Sequence, residues 1–190
     1  MKRRYSYSSC LMMAAILILS GCASVAPNYQ PSMANVGTLK NQRPAQVKVG
    51  AFTAGGREKD KVNNLTIRGG SFVSPYSESY VEYLREALRQ ELSMAGLLGD
   101  NTDVELSGVL FKNEFDASGF SLGYGVMEAQ LTVKKNGAVR YNKTKSVRHE
   151  WESSFAGMVA IPKAKENYSI VVQKLLASFY GDPEFQKALQ

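Results

Sequence analysis

Asn136-Gly137 is the feature that most limits the folds open to this chain. An Asn-Gly pair fills the two left-handed backbone positions of a type I′ turn, and that turn joins two antiparallel strands. The flanks alternate as strands should. Ahead of the turn Met127, Ala129, Leu131 and Val133 recur at every second residue. Behind it Val139, Tyr141, Val147, His149, Trp151 and Phe155 share one face, with Arg140, Asn142, Thr144, Ser146, Arg148, Glu150 and Glu152 on the other. Lys143 and Lys145 interrupt the apolar face, so the middle of this strand is expected to project past the core. Residues 104–111 read as a strand preceding this pair, with a bulge expected at Gly108, where its alternation slips. In the strand over 120–134 the apolar phase changes between Val126 and Met127. A one-residue slip would send every side chain to the wrong face, so a bulge near Val126 is expected.

Two helical patterns flank this meander. Over 78–95, Tyr80, Leu84, Leu88 and Leu92 recur every four residues, with Val81, Ala87 and Ala95 widening the stripe. Ser79 and Glu82 form a capping-box pair ahead of them, and Gly96 is the expected stop. Over 164–180, Tyr168, Val171, Val172, Leu175, Leu176 and Phe179 form a second stripe that ends at Gly181. Asp182-Pro183 then starts a short terminal helix, with Asp182 as its cap. Upstream, Val47, Val49 and Ala51 share a face of a first strand over 47–52, and a small hairpin turns at Gly69-Gly70. Two amphipathic helices must bury their stripes. The arrangement that does so is an α+β two-layer sandwich: a mixed, mostly antiparallel sheet of about four main strands with both helices on one face. The first helix is the crossover to a parallel strand.

The N-terminus has a different character. Lys2, Arg3 and Arg4 precede an apolar run from Leu11 to Leu19, followed by Ser20, Gly21 and Cys22. The run is about nine residues, too short to span a bilayer, and has the layout of a secretory signal peptide. Residues 23 to about 45 are rich in Ser, Pro, Asn, Gln and Ala and read as a flexible tether reaching roughly 25 Å. The expected organisation is therefore a signal peptide over 1–21, an N-terminus and tether over 22–45, and one domain over 46–190. Loss of Lys2, Arg3 and Arg4 lowers the formal charge from +6 to +3, too little for a nucleic-acid footprint. Cys10 leaves with the signal peptide, so no disulfide is available to the domain, and its stability must come from its core.

The tetrad Leu19-Ser20-Gly21-Cys22 resembles the lipobox of bacterial lipoproteins. The resemblance implies cleavage after Gly21 and lipidation of Cys22, first by a diacylglyceryl thioether and then by acylation of the new amine. Ala23 and Ser24 follow where an aspartate would signal retention in the inner membrane, so it further implies the periplasmic face of the outer membrane. The lipobox, the helix Tyr83-Leu84-Arg85-Glu86-Ala87-Leu88-Arg89-Gln90-Glu91-Leu92, the Asn136-Gly137 turn and the ending Gly181-Asp182-Pro183-Glu184-Phe185 together make the chain similar to the YajG-type family of bacterial lipoproteins. Residues 50–75 depart from that family, and it has no established activity to carry over.

The remaining residues offer little chemistry. His149 is the only histidine, which excludes a multi-histidine metal site, and it lies on an apolar strand face beside Val147 and Trp151. Glu150 and Glu152 share the opposite face with Arg148, as on a solvated strand surface. Gly119, Gly123 and Gly125 lack the following helix and Lys-Ser/Thr of a phosphate loop; they suit bulges or a close approach of another backbone. Lys134, Lys135, Lys143 and Lys145 are the candidate partner-contact patch, for an anionic envelope protein or cell-wall polymer; edge lysines that block strand pairing are the plainer account. The expected function is a membrane-anchored, non-enzymatic binding or accessory module without cofactor. The alternatives are a hydrolase of cell-wall or lipid substrates using His149 or Glu150, and a self-assembling structural lipoprotein.

Overall fold

A computed structural model describes residues 23–42 and 44–190. The main sheet has the order β2-β5-β6-β7, from β2 (Lys48–Ala54), β5 (Val104–Asp116), β6 (Leu122–Lys135) and β7 (Ala138–Glu152). β2 runs parallel to β5, and the other pairs are antiparallel. α2 (Tyr80–Ala95) covers the β2–β5 half and α3 (Gly157–Tyr180) the β6–β7 half. This is the expected α+β sandwich. Asn136 and Gly137 both have positive φ, and Lys135 pairs with Ala138 across them, the two-residue turn that the sequence specifies.

A second, three-stranded sheet has the order β1-β4-β3. The hairpin of β3 (Leu65–Ile67) and β4 (Gly70–Val73) is as expected, but its partner β1 (Ser24–Val25) comes from the segment expected to be a tether. That segment is no free tether. After β1, Tyr29 is buried, and α1 (Met33–Gln42) lays Val36 and Leu39 against α2 and α3. Few large apolar residues suffice here because Tyr29, Val36 and Leu39 are almost fully buried, at about 1.5–3 kcal/mol apiece. The composition is tether-like because the remaining residues of the arm, Ala26 and Asn35 apart, are exposed or half-buried.

Several local expectations change. β6 carries no bulge at Val126. Its pairing with β7 is continuous from Leu122 to Val133, and Gly123 and Gly125 are themselves the inward positions of the alternation. Phe120, Leu122, Tyr124 and Val126 consequently lie off the core face. A Cβ on Gly123 would lie 2.5 Å from the Trp151 ring, and one on Gly125 2.7 Å from Val171. The glycines thus make room for neighbours' side chains. The bulge of β5 falls at Phe111 instead of Gly108, whose missing side chain admits the Phe52 ring. In β2 a register shift after Val49 turns Phe52, and not Ala51, into the core. α3 begins at Gly157, earlier than expected, with Pro162 inside it. Proline lacks the N–H that a helix interior uses, so sequence periodicity is clean only from Ala164.

α2 is fixed at both ends. The Ser79 hydroxyl accepts from the Glu82 N–H at 3.3 Å, and Asn63 Oδ1 accepts from the Tyr80 N–H at 2.7 Å. Ser77 and Glu78 have positive φ, which delays the helix to Tyr80. At the other end Gly96 sits at φ 76°, with the Leu97 N–H bonded to the Leu92 carbonyl. Between the helices lies an aromatic centre. The Tyr168 ring is 4.8 Å from Tyr80, 5.1 Å from Tyr83 and 5.4 Å from Phe115. Such pairs add about 0.5–1.5 kcal/mol each beyond area burial. Their hydroxyls are partnered: Tyr80 to the Phe72 carbonyl, Tyr168 to Asn113, and Tyr83 with Ser169.

Candidate functional site

The lipobox residues Leu19, Ser20, Gly21 and Cys22 lie outside the described residues. What the structure places is the chain directly after them. β1 starts at Ser24, so one residue, Ala23, separates Cys22 from hydrogen-bonded structure. The Ala26 N–H donates to the Val73 carbonyl at 2.8 Å, which continues the attachment.

The arm that follows is fastened by Glu91. This carboxylate is fully buried on α2 and accepts from the Tyr29 hydroxyl at 2.6 Å, the Ser32 N–H at 3.0 Å and the Asn35 side-chain amide at 3.1 Å. All of these donors are neutral and belong to the arm. Desolvation pushes the Glu91 carboxyl above its ordinary value, opposed by the bonds from Tyr29, Ser32 and Asn35. The buried Tyr180 hydroxyl feels the same charge without reaching hydrogen-bond geometry. The α2 stripe gives no warning of this charged interior position.

The four lysines of the expected patch are not gathered into one free surface. Lys143 and Lys145 face the helix layer and meet Asp182, the cap of α4 (Pro183–Ala188), which is 7% exposed. Lys145 Nζ lies 2.7 Å from Asp182 Oδ2, and Lys143 Nζ 2.7 Å from Glu184 and 3.6 Å from Asp182. The Tyr141 hydroxyl donates to the same Oδ2 at 3.1 Å. The hydrogen bond from Lys145 leads in holding the Asp182 carboxyl well below the usual range, helped by the Glu184 N–H and Tyr141 against the opposing pull of desolvation. The middle of β7 therefore does not project past the core; a carboxylate covers its two cations. Lys134 is exposed, and Lys135 donates to the Gln190 carbonyl at 2.9 Å. Lys135 also lines a cavity of about 470 Å³ with Arg140, Lys187 and Glu184.

The catalytic alternative gains no geometry. His149 and Glu150 point to opposite faces of β7. The His149 ring is held by Asn167 at 2.8 Å and by Lys174 at 2.8 Å, and Glu150 pairs with Arg148 at 2.8 Å. Among the described residues no group of three or more His, Cys, Asp or Glu side chains could hold a metal, and no helix is long and apolar enough to cross a membrane.

Sequence reasoning missed Arg68, which organises the end of the molecule near β1. At φ 52° in the β3–β4 turn, it donates to the carbonyls of Ala117 (2.7 Å), Gly119 (3.2 Å), Ser154 (2.5 Å) and Phe155 (3.2 Å). One guanidinium thus ties the β5–β6 loop to the β7–α3 loop. It also lines a polar cleft of about 510 Å³ with Lys61, Asn113, Asp116 and Tyr124. Nothing around Ile67-Arg68-Gly69 signals this, since all of its acceptors are backbone carbonyls remote in sequence.

No family model matches the chain, and no curated protein matches its sequence. Solved structures do resemble it. Protein XCC0632 from Xanthomonas campestris, of the DUF330 family, superposes with a TM-score of 0.58 at 14% identity, over 87% of this chain and 96% of its own. A candidate lipoprotein from Caulobacter crescentus gives 0.46 at 12% identity over 82% of this chain and 96% of its own. A minor lipoprotein from Acinetobacter baumannii gives 0.40 at 11% identity, over 74% and 92%. At these identities the Xanthomonas structure shares the fold with this chain.

Proposed function

We propose that the chain is a bacterial lipoprotein, lipidated on Cys22 and held at the periplasmic face of the outer membrane, where its α+β domain serves as a non-enzymatic binding or accessory module of the cell envelope. The observation that carries this reading is the tetrad Leu19-Ser20-Gly21-Cys22 behind a short apolar run and a basic start. The onset of strand structure at Ser24 supports it: the described fold begins directly after the expected cleavage site. Ala23 and Ser24 after the cysteine support the outer membrane, and kinship with the YajG-type lipoproteins is the finer form of the same reading. The surface offered to an acidic partner is Lys134 together with the cleft of Lys135, Arg140 and Lys187.

Acyl chains make such an anchor durable. One chain binds a membrane marginally, and two or more hold it stably. The test is the intact mass of the mature protein recovered from separated membrane fractions, beside Cys22→Ala. A triacylated mass in the outer-membrane fraction, lost in the variant, is the expected result. An unmodified chain in the soluble fraction would overturn the proposal.

A further inference from the structure

The end of the molecule that carries Ala23 also carries several exposed apolar side chains. Phe120 is 78% exposed, Phe155 68% and Met158 85%, with Leu122 and Val159 beside them in sequence. The Phe120 and Phe155 rings stack on each other at 5.2 Å with 12° between their planes, while both stay open to solvent. Scattered exposed apolar residues are ordinary, but a contiguous group drawn from two loops and a helix start marks a contact surface. Arg68 supplies the link to the N-terminus. Its guanidinium holds the loops that bear Phe120 and Phe155, and it lines a cleft with Ala23, Val25, Ile161 and Lys165. Ile161 lies one helical turn beyond Met158 on α3.

Resting on the lipoprotein reading above, we infer that this surface docks on the bilayer that holds the chain's own anchor, with Phe120, Phe155 and Met158 entering the boundary between headgroups and acyl chains. The occupant follows from where the chain ends. With only Ala23 between Cys22 and β1, the lipid has no slack to swing the domain, so the apolar end is brought to the membrane whenever the anchor is inserted. A fully extended residue spans at most ~3.6 Å, whereas interfacial side chains reach roughly 5–10 Å into the boundary. Lys163 and Lys165, on the first turns of α3, lie at the rim where anionic headgroups would be met, with Glu166 as the nearest acid in sequence. Docking fixes the orientation of the domain: the basic cleft at Lys135, Arg140 and Lys187, at the chain's other terminus, remains available to a partner.

The experiment uses the full mature lipidated protein in vesicles of phosphatidylethanolamine and phosphatidylglycerol. Single cysteines replace Phe155, Met158 or, as a control on the open sheet face, Ser146, and each carries an environment-sensitive fluorophore. All three side chains are solvent-facing, so the substitutions leave the core intact, which circular dichroism checks. Nitroxide-labelled lipids are expected to quench positions 155 and 158 several-fold more than 146. Equal quenching at all three, in protein that mass and flotation show to be lipidated and vesicle-bound, would overturn docking while leaving the anchor standing. Labels shielded from both lipid nitroxide and aqueous iodide would assign the surface to a second copy or another protein, and overturn it as well. A chain that neither carries lipid nor floats would remove anchor and docking together.

Discussion

Glu91 and Asp182 are both nearly closed to solvent, and each fastens one end of the chain to the body of the fold. Glu91 receives the N-terminal arm through Tyr29, Ser32 and Asn35. Asp182 seats the C-terminal helix on β7 through Tyr141, Lys143 and Lys145. The solutions are opposite. Asp182 keeps its charge by facing two cations, and its carboxyl is driven down. Glu91 has neutral donors alone, and its burial drives its carboxyl up. Lysines that are partly exposed can turn to water when their carboxylate is lost, but buried neutral donors that share one acceptor cannot. The N-terminal attachment therefore depends on one residue far more than the C-terminal one does.

The largest expected effect follows directly. Glu91→Ala leaves the Tyr29 hydroxyl and the Ser32 N–H without their acceptor, leaves the Asn35 amide only the Gln173 carbonyl, and opens a cavity, a loss of about 3–5 kcal/mol. Urea unfolding followed by tryptophan fluorescence measures it. Limited proteolysis should cut first within residues 23–42, because the arm loses its only carboxylate partner among the described residues. If the variant unfolded as stably as the wild type with the arm still protected, Glu91 would not be the fastening point.

Asp182→Ala comes next, at about 2–3 kcal/mol. It removes the cap of α4, worth about 1 kcal/mol, together with the acceptor of Tyr141 and the partner of Lys145. The two lysines are partly exposed and recover hydration, which keeps this below the Glu91 effect. Unfolding curves for the two variants, taken at one pH and salt concentration, test the order. Raised salt should narrow the Asp182 deficit and leave that of Glu91 nearly unchanged.

The difference also explains what was legible in the sequence. Asp182 announced itself, because Asp-Pro at a helix start has a local meaning that needs no tertiary knowledge. The Asn136-Gly137 turn, the caps of α2 and the stripe of α3 were readable for the same reason. Glu91 was silent: its partners lie some 56 to 62 residues away, in a segment whose composition resembles a linker. Gly123 and Gly125 misled through the same gap. As residues without side chains they broke the apolar alternation, although they occupy the inward positions opposite Trp151 and Val171. The lysines of β7 looked like a free patch because only the tertiary fold brings Asp182 over them.

The sharpest discrimination between the two attachments is the sign of their pH dependence. For Glu91 the folded carboxyl titrates above its unfolded value of 4.5. Above that pH the unfolded chain gives up its proton while the folded chain retains it, so the folded form binds more protons and stability falls as pH rises toward the folded value. For Asp182 the folded carboxyl titrates below its unfolded value of 3.8. Its contribution is present above 3.8 and is lost as pH falls toward the folded value. One group can tilt the profile by at most about 1.4 kcal/mol per pH unit, so the comparison is made by variant against wild type. Glu91→Gln keeps an acceptor for Tyr29 and should remove the decline on the alkaline side of 4.5, leaving the acid limb intact. Asp182→Asn keeps the helix cap and should flatten the acid limb below 3.8, leaving the alkaline side as it was. Thermal unfolding across the acid to neutral range reads both. A Glu91→Gln profile parallel to that of the wild type would mean that this carboxyl titrates alike in the folded and unfolded chains, and that its burial does not raise it.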